Sequence, residues 1–237
     1  TLMYKFLDRL SPEDVQAIAA MVMLEMAEAG YACVAEFHYL HHAPGGQTYD
    51  DVAEMTVRIA AAAAETGLGL THLPVLYERG GCDGRALTAG QLRFGNDLDR
   101  FGRLWLGAKQ ALAGLPADTV LGVAPHSLRA ASPEGIRMAE SMAPDAPVHI
   151  HVAEQVAEVA EVLGATGKRP VQWLLENHQL DSRWCLIHAT QMEPFETEGL
   201  ARSGAIAGLC PMTEANLGDG IFDGMRFRAA GGRFGIG

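Results

Sequence analysis

The sequence is short of basic residues, of paired cysteines and of long apolar runs, and each shortage excludes a class of protein. Against 29 Asp and Glu there are 18 Lys and Arg, so the 237-residue chain has a formal charge of -11. It therefore lacks the basic surface of a nucleic-acid binder. No apolar run is long enough to span a bilayer, which predicts no membrane partner. The four scattered cysteines form no Cys-x-x-Cys pair, which indicates free thiols in a cytoplasmic protein.

Short apolar strands alternate along the chain with helix-like segments. Strands are predicted at 31–37, 68–76, 120–124, 148–152, 184–188, 205–210 and 233–237. Helices are predicted at 12–26, 50–65, 92–112, from 133, 156–163, 170–176 and 194–202. This alternation indicates a parallel sheet, either in a (β/α) barrel or in a doubly wound fold. No Gly-x-Gly-x-x-Gly turn follows the first strand, and polar residues follow many strand ends, so the pattern favours the barrel.

The alternation of strands and helices is incomplete at both ends of the chain. The chain starts almost directly with a helix and stops at the end of a strand, which leaves about seven strands. A seven-stranded barrel would expose unpaired backbone at its seam. We therefore expect flanking residues that belong to a longer protein.

Two apolar strands end in histidine. His149 and His151 share one face of the strand at 148–152, Glu154 follows three residues later, and His188 ends the strand at 184–188. Imidazoles at successive strand ends suit a metal site at a barrel mouth, where a carboxylate can move protons beside a water. The alternatives are hydrogen-bonded structural histidines and, for Glu154, an acid in the first turn of the next helix.

Three loops after strands carry further candidates. Arg129 follows the strand at 120–124, where it can form a bidentate pair with a substrate carboxylate or, alternatively, an ordinary surface ion pair. Tyr39 is the expected substrate contact in a histidine-rich segment, whose other members are predicted to be solvated: His38, His41 and His42. The polar segment 210–220 is either part of the site or a tight turn.

Several of these segments resemble a known family. Three are similar to the later strand motifs of the amidohydrolase superfamily and its deaminase branch: Val148-His-Ile-His-Val-Ala-Glu154, Cys185-Leu-Ile-His188 and Cys210-Pro-Met-Thr-Glu-Ala-Asn-Leu217. Residues 34–39, 126–130 and 213–222 look most like the formimidoylglutamate deiminases. In the last of them, Thr-Glu-Ala-Asn-Leu-Gly-Asp-Gly replaces the commoner Ser-Asn form. The resemblance covers essentially the whole chain.

The resemblance implies an α/β fold, a (β/α)8 barrel of TIM type. Residues 1–237 would be one metal-dependent hydrolase domain with strands two to eight, without the first strand and a small β-sandwich domain. It also implies one zinc per subunit, with His151 as a ligand, although the ligand types alone leave iron and manganese open. Glu154 would be the proton shuttle and His188 would position or polarise the attacking water. Tyr39, His126 and Arg129 would hold the amino-acid part of the substrate.

By the same resemblance, the expected reaction is hydrolysis of the formimidoyl group of N-formimidoyl-L-glutamate to N-formyl-L-glutamate and ammonia, in histidine degradation. One alternative is another deaminase of the superfamily, acting on a purine or similar heterocycle. A second is a catalytically inactive barrel fragment, because the first-strand His-x-His pair and the Asp after strand eight are not in this sequence. The resemblance further suggests a homodimer that binds a small amino-acid substrate.

Overall fold

Parallel strands and helices alternate through residues 6–237, the part of the chain that the computed structural model describes. The strands are β1 Cys33–His38, β2 Gly69–Leu76, β3 Val120–Leu121, β4 Ala124–Pro125, β5 Val148–Val152, β6 Trp184–His188, β7 Ile206–Leu209 and β8 Arg233–Ile236. The helices are α1 Pro12–Glu28, α2 Glu54–Thr66, α3 Leu98–Leu112, α4 Pro133–Met142, α5 Val156–Thr166, α6 Pro170–Asn177, α7 Pro194–Ser203, α8 Pro211–Leu217 and α9 Gly224–Ala229. The first five residues of the predicted domain lie outside the described range.

The strands pair in chain order, and every pairing is parallel. One sheet runs β1-β2-β3 with β4 also on β2, and the other runs β5-β6-β7-β8. A parallel bridge between Val123 and Val148 joins the two sheets. Because parallel neighbours end at the same edge, the carboxyl ends of all these strands form one rim. This is the arrangement of a (β/α) barrel.

The predicted strand at 120–124 is divided in two by Gly122. A Cβ at this position would lie 2.4 Å from the carbonyl oxygen of Pro147 and 2.7 Å from Cδ2 of Leu73. The backbone can pass between β2 and β5 only because glycine has no side chain there. Its N–H donates to the carbonyl of His72 at 2.9 Å, which keeps the segment on β2.

Two helices begin later than their sequence pattern predicts. The segment 50–65 becomes helical only at Glu54, because the Asp51 carboxylate first accepts the N–H of Ala53 at 2.8 Å. The segment 92–112 becomes helical at Leu98, after Asp97 caps the helix by accepting the N–H of Arg100. The Asp51 bond competes with the helix, whereas the Asp97 bond is the N-cap bond at which the helix starts. The helices α8 and α9 were not predicted.

Arg93 anchors the segment that precedes α1. Its side chain is buried, with Nε donating to the carbonyl of His42 at 2.7 Å and Nη2 donating to the carbonyl of Leu10 at 3.0 Å. Nη1 donates to the carbonyl of Leu7. One guanidinium thus serves three backbone acceptors from two separate stretches of chain.

We expect Arg93→Met to lower the free energy of unfolding by about 3 kcal/mol, because one buried and two partly buried carbonyls would lose their charged donor. Urea denaturation of the full-length protein measures this change. Arg137→Met, on the exposed side of α4, is the matched control and should change stability by less than about 0.5 kcal/mol. Equal stability of the two variants would contradict the anchoring role.

Candidate active site

The rim of the barrel brings together five of the six predicted site residues. Tyr39 follows β1, His126 follows β4, His151 lies in β5, Glu154 follows β5 and His188 ends β6. The ring of His151 is 5.1 Å from that of His126 and 5.6 Å from that of His188, measured between centroids. The Tyr39 hydroxyl lies 3.3 Å from Nε2 of His151. Residues far apart in sequence therefore form one compact group.

The hydrogen bonds of His151 determine which of its nitrogens is protonated. Nδ1 lies 3.1 Å from the carbonyl of His126, and a carbonyl only accepts, so Nδ1 bears the proton. Burial, and then the neighbouring His188, lower the pKa of His151 to about 4. The ring is therefore neutral at pH 7 and Nε2 offers a lone pair at the rim. Metal-ligating histidines commonly have this arrangement.

His188 lies between two carboxylates. Its Nε2 is 3.4 Å from Oε1 of Glu154, and its Nδ1 is 3.1 Å from Oε1 of Glu214. The side chains of His188 and Glu214 are buried and that of Glu154 is 17% exposed. The arrangement brings a partly accessible carboxylate and an imidazole within reach of one another, as proton transfer requires.

The backbone at the end of β6 decides the side of the sheet on which His188 lies. Trp184 and Leu186 are fully buried in the cluster between sheet and helices, and strict alternation would place His188 with them. His188 instead has a φ of 69°, and its ring stacks on that of His151. The left-handed backbone thus re-aims the side chain into the site.

Strained backbone is concentrated at this rim. Among residues 6–237, the only non-glycine residues with positive φ are Ala153 at 50°, His188 at 69° and Ala189 at 49°. Each such residue costs about 1–3 kcal/mol and persists only where its surroundings hold it. The Ala189 N–H donates to the carbonyl of Val152 at 3.0 Å, which holds the end of β6 against β5.

Glu158 is a buried carboxylate that the sequence reasoning missed. Its two oxygens accept the N–H groups of Ala153 at 3.1 Å and Glu154 at 3.0 Å, and Nη2 of Arg129 lies 4.0 Å away. Burial raises the pKa of Glu158. The available sequence signal was its place as the third residue of α5, from which an acid reaches back to the residues before the helix. One side chain thus orients both Glu154 and Arg129.

Arg129, the sixth predicted residue, lies at the edge of the group. Its side chain is about one-third exposed, and its buried Nε has no hydrogen-bond partner within residues 6–237. Burial, then His151, then the Arg129 charge lower the pKa of His126 well below its usual value. A cation with one unused donor therefore lies near His126 and His151.

The histidine-rich segment at the end of β1 and just after it is not solvated, so that prediction was wrong. His38, His41 and His42 are all buried. His41 donates through Nε2 to the carbonyl of Val75 at 3.0 Å, and the backbone N–H groups of His41 and His42 both donate to the carbonyl of Arg93. This return of the segment onto distant backbone has no local sequence signal.

The segment 210–220 forms the short helix α8 and the turn after it, and it contributes a buried side chain to the site. Glu214 is 5% exposed, and its Oε1 accepts the N–H of Cys210 at 2.9 Å. Glu214, Cys210 and His188 also present possible ligand atoms within 4.8 Å of one another. His188 and Glu214 already pair with each other, however, so this group is satisfied as a hydrogen-bonded network.

The fold and the residues at its rim are those of a barrel hydrolase of the amidohydrolase family. The model of this family matches residues 2–237, and the chain belongs to it. It is 49% identical to formimidoylglutamate deiminase of Pseudomonas aeruginosa over 237 residues, which are 100% of this chain and 52% of that protein. It is 28% identical to 5-methylthioadenosine/S-adenosylhomocysteine deaminase of Natronomonas pharaonis over 230 residues, 96% of this chain and 47% of that protein. The chain thus spans about half the length of these relatives.

Solved structures confirm the predicted TIM-type α/β barrel. A crystal structure of an amidohydrolase from Brucella melitensis is 54% identical, with a TM-score of 0.97, and the match covers 100% of this chain and 52% of that one. Atrazine chlorohydrolase TrzN from Arthrobacter aurescens TC1, crystallised with zinc, matches with a TM-score of 0.84 over 97% of this chain and 49% of its own. At 21% identity, this second likeness shows the fold alone. Within residues 6–237, no helix has the length and apolar character needed to cross a membrane.

Proposed function

We propose that the protein containing this chain hydrolyses the formimidoyl group of N-formimidoyl-L-glutamate to N-formyl-L-glutamate and ammonia, a step of histidine degradation. The observation that carries the proposal is the position of Arg129, a partly buried cation with an unused Nε donor beside the rim histidines. A guanidinium in such a place selects a substrate with a carboxylate. The 49% identity to a formimidoylglutamate deiminase supports the same choice.

His151 at the rim offers one ligand atom that suits a zinc ion. His151 would hold it through Nε2, because its Nδ1 donates to the carbonyl of His126 and so leaves Nε2, which faces the Tyr39 hydroxyl at 3.3 Å, without a proton. Iron and manganese also accept imidazole and carboxylate ligands, so metal analysis has to separate the three. A bound zinc ion would activate water as a nucleophile at neutral pH.

In the proposed reaction, water adds to the formimidoyl carbon, the bond from that carbon to the terminal nitrogen breaks, and the nitrogen leaves as ammonia. Glu154 takes the proton of the water and delivers it to the departing nitrogen. His188 positions the water, since its Nε2 lies beside Oε1 of Glu154. Tyr39 and His126 hold the amino-acid part of the substrate next to Arg129.

Aromatic side chains around the site favour a second candidate, a deaminase that acts on a purine or similar heterocycle. Tyr77 and Tyr39 lie with ring centroids 4.6 and 5.4 Å from that of His126, and Phe37 lies 4.3 Å from His151. Such rings could stack on a heterocycle. The charge of Arg129 weighs against this candidate, because a neutral heterocycle would add no anionic group to the single contact with Glu158 at 4.0 Å.

Ammonia release by the full-length protein decides between the candidates. N-Formimidoyl-L-glutamate and a panel of purines and purine nucleosides are supplied at matched concentrations. We expect turnover of the formimidoyl substrate to exceed that of every purine. Preferential purine turnover would support the second candidate, and no turnover of either class would support the inactive fragment.

Arg129→Ala should raise KM for N-formimidoyl-L-glutamate by about 10- to 100-fold, because it removes a charge-assisted contact to a substrate carboxylate. Initial rates over a range of substrate concentrations measure this effect. Arg137→Ala, which removes an exposed arginine from α4, is the matched control. An unchanged KM would remove Arg129 from substrate binding.

We place the reaction in the cytoplasm, since all four cysteines are free thiols and two of them, Cys185 and Cys210, lie near each other without a disulfide. Burial raises the pKa of the Cys185 thiol to about 12, so this thiol is unreactive. The homodimer, and the lack of nucleic-acid and membrane partners, stay predictions.

A further inference from the structure

We infer that Glu214 is a positioning residue that keeps a proton on Nδ1 of His188. Glu214 lies in α8 and is almost completely buried. Its Oε1 accepts the backbone N–H of Cys210 at 2.9 Å and lies 3.1 Å from Nδ1 of His188. The backbone bond fixes the carboxylate in place, and the fixed carboxylate then faces a single nitrogen of the ring.

The chemistry of the two groups assigns the proton. An ionised carboxylate accepts hydrogen bonds and cannot donate them, so Nδ1 of His188 must carry the hydrogen of this contact. A neutral His188 then has its lone pair on Nε2, 3.4 Å from Oε1 of Glu154. Without Glu214, the neutral ring could also adopt the opposite tautomer, with the hydrogen on Nε2.

The tautomer matters because it controls what His188 can do beside Glu154. With Nδ1 protonated, Nε2 and Glu154 can share one further proton, which lies either on the carboxylate or on the ring. Either a neutral ring accepts from a protonated Glu154, or an imidazolium donates to the Glu154 carboxylate. The opposite neutral tautomer would donate to the carboxylate and favour its ionised form. Glu214 thus leaves one exchangeable proton on the side of the ring that faces the reaction.

Within residues 6–237, no other group at the site restrains the tautomer of His188. His188 stacks on His151 at an interplanar angle of 29°, which limits the tilt of the ring but does not distinguish its two nitrogens. The left-handed backbone at His188 places the ring in the site and likewise leaves the tautomer open. Of the groups around the ring, Glu214 is the one that bonds Nδ1.

Two substitutions of Glu214 separate positioning from packing. Glu214→Gln keeps an amide oxygen that can accept both hydrogen bonds, whereas Glu214→Leu keeps most of the volume and accepts neither. In the full-length protein we expect Glu214→Leu to lower kcat for the formimidoyl substrate by about 10- to 100-fold, with KM changed less than about threefold and with unchanged metal content. Glu214→Gln should restore kcat to within about fivefold of the wild type.

Glu196→Gln is the matched control for the loss of a buried carboxylate. Glu196 is fully buried in α7, accepts the N–H groups of Gln172 and Glu193, and pairs with Arg169. We expect this variant to lose thermal stability and to retain kcat at temperatures where it is folded. A kcat loss in Glu196→Gln equal to that in Glu214→Leu would reduce Glu214 to a structural role.

¹⁵N NMR of histidine-labelled protein reads the tautomer directly, with the His188 signals assigned by their loss in His188→Gln. We expect hydrogen on Nδ1 in the wild type and in Glu214→Gln, and a shift toward hydrogen on Nε2 in Glu214→Leu. Hydrogen on Nε2 in the wild type would overturn the inference even if no variant folds. The kinetic comparison rests on the proposed function, but the NMR comparison does not, so a protein inactive on formimidoylglutamate would refute the function and still test Glu214.

Discussion

Glu154→Gln is expected to reduce ammonia release by about 1,000-fold, the largest effect of any single substitution at this site. The amide cannot take a proton from the water or deliver one to the departing nitrogen. The site should otherwise stay intact, because Glu158 holds the loop through the backbone N–H groups of Ala153 and Glu154 and not through the Glu154 side chain. Steady-state kinetics of the full-length protein measure kcat and KM, and only kcat should fall.

Glu134→Gln provides the matched control. Glu134 is an exposed acid in the first turn of α4, away from the rim, so the same loss of charge there should leave kcat unchanged. Equal rates for wild type and Glu154→Gln would remove Glu154 from the mechanism.

His151→Gln is expected to weaken zinc binding by more than about 100-fold, because a direct ligand contributes more than the surrounding residues, which typically account for 10- to 100-fold. Nε2 of His151 carries a lone pair that points to the rim, because the proton of the ring is on Nδ1, which donates to the carbonyl of His126. Metal analysis of the dialysed full-length protein measures the zinc content. Activity should fall in parallel and return partly at high zinc concentration.

His149→Gln tests whether the loss of zinc binding is specific to the histidine at the rim. His149 lies on the same face of β5, two residues deeper in the barrel, and burial likewise lowers its pKa to about 4. Both histidines are therefore neutral at pH 7, and only their positions differ. We expect His149→Gln to retain zinc. If His151→Gln kept its zinc while His149→Gln lost it, the ligand assignment would be wrong.

Local signals predicted much of the fold because each depends on residues a few positions apart. The predicted Ser-Pro helix starts of α1 and α4 are confirmed as N-caps. Ser11 accepts the N–H of Asp14 at 3.1 Å, and Ser132 accepts that of Gly135 at 2.9 Å. Such bonds span three residues and form wherever the sequence recurs. The predicted helix starts were wrong where a short-range side-chain bond sets a later boundary, as at Asp51 and Asp97.

The alternation along β5 likewise placed part of the site. Val148, Ile150 and Val152 are buried against the helices, which leaves His149 and His151 on the inner face. Period-two alternation decides the face of a strand residue without knowledge of its neighbours. The same rule would have misplaced His188, whose left-handed backbone at the end of β6 breaks the alternation.

By itself, the sequence determined the order of the strands and of the first seven helices, the parallel class of the sheet, and the strand ends at which chemistry could occur. Only the tertiary structure decided which side chains meet there: Tyr39 contacts His151 across 112 positions, and His188 contacts Glu214 across 26. It also buries the histidines at the end of β1 and after it, and it places Glu158 against Arg129 and the backbone of Glu154. The physical reason is the separation along the sequence over which each interaction acts. Periodicity and capping arise within a few residues, whereas the pairing of a buried charge depends on which distant segments pack around it.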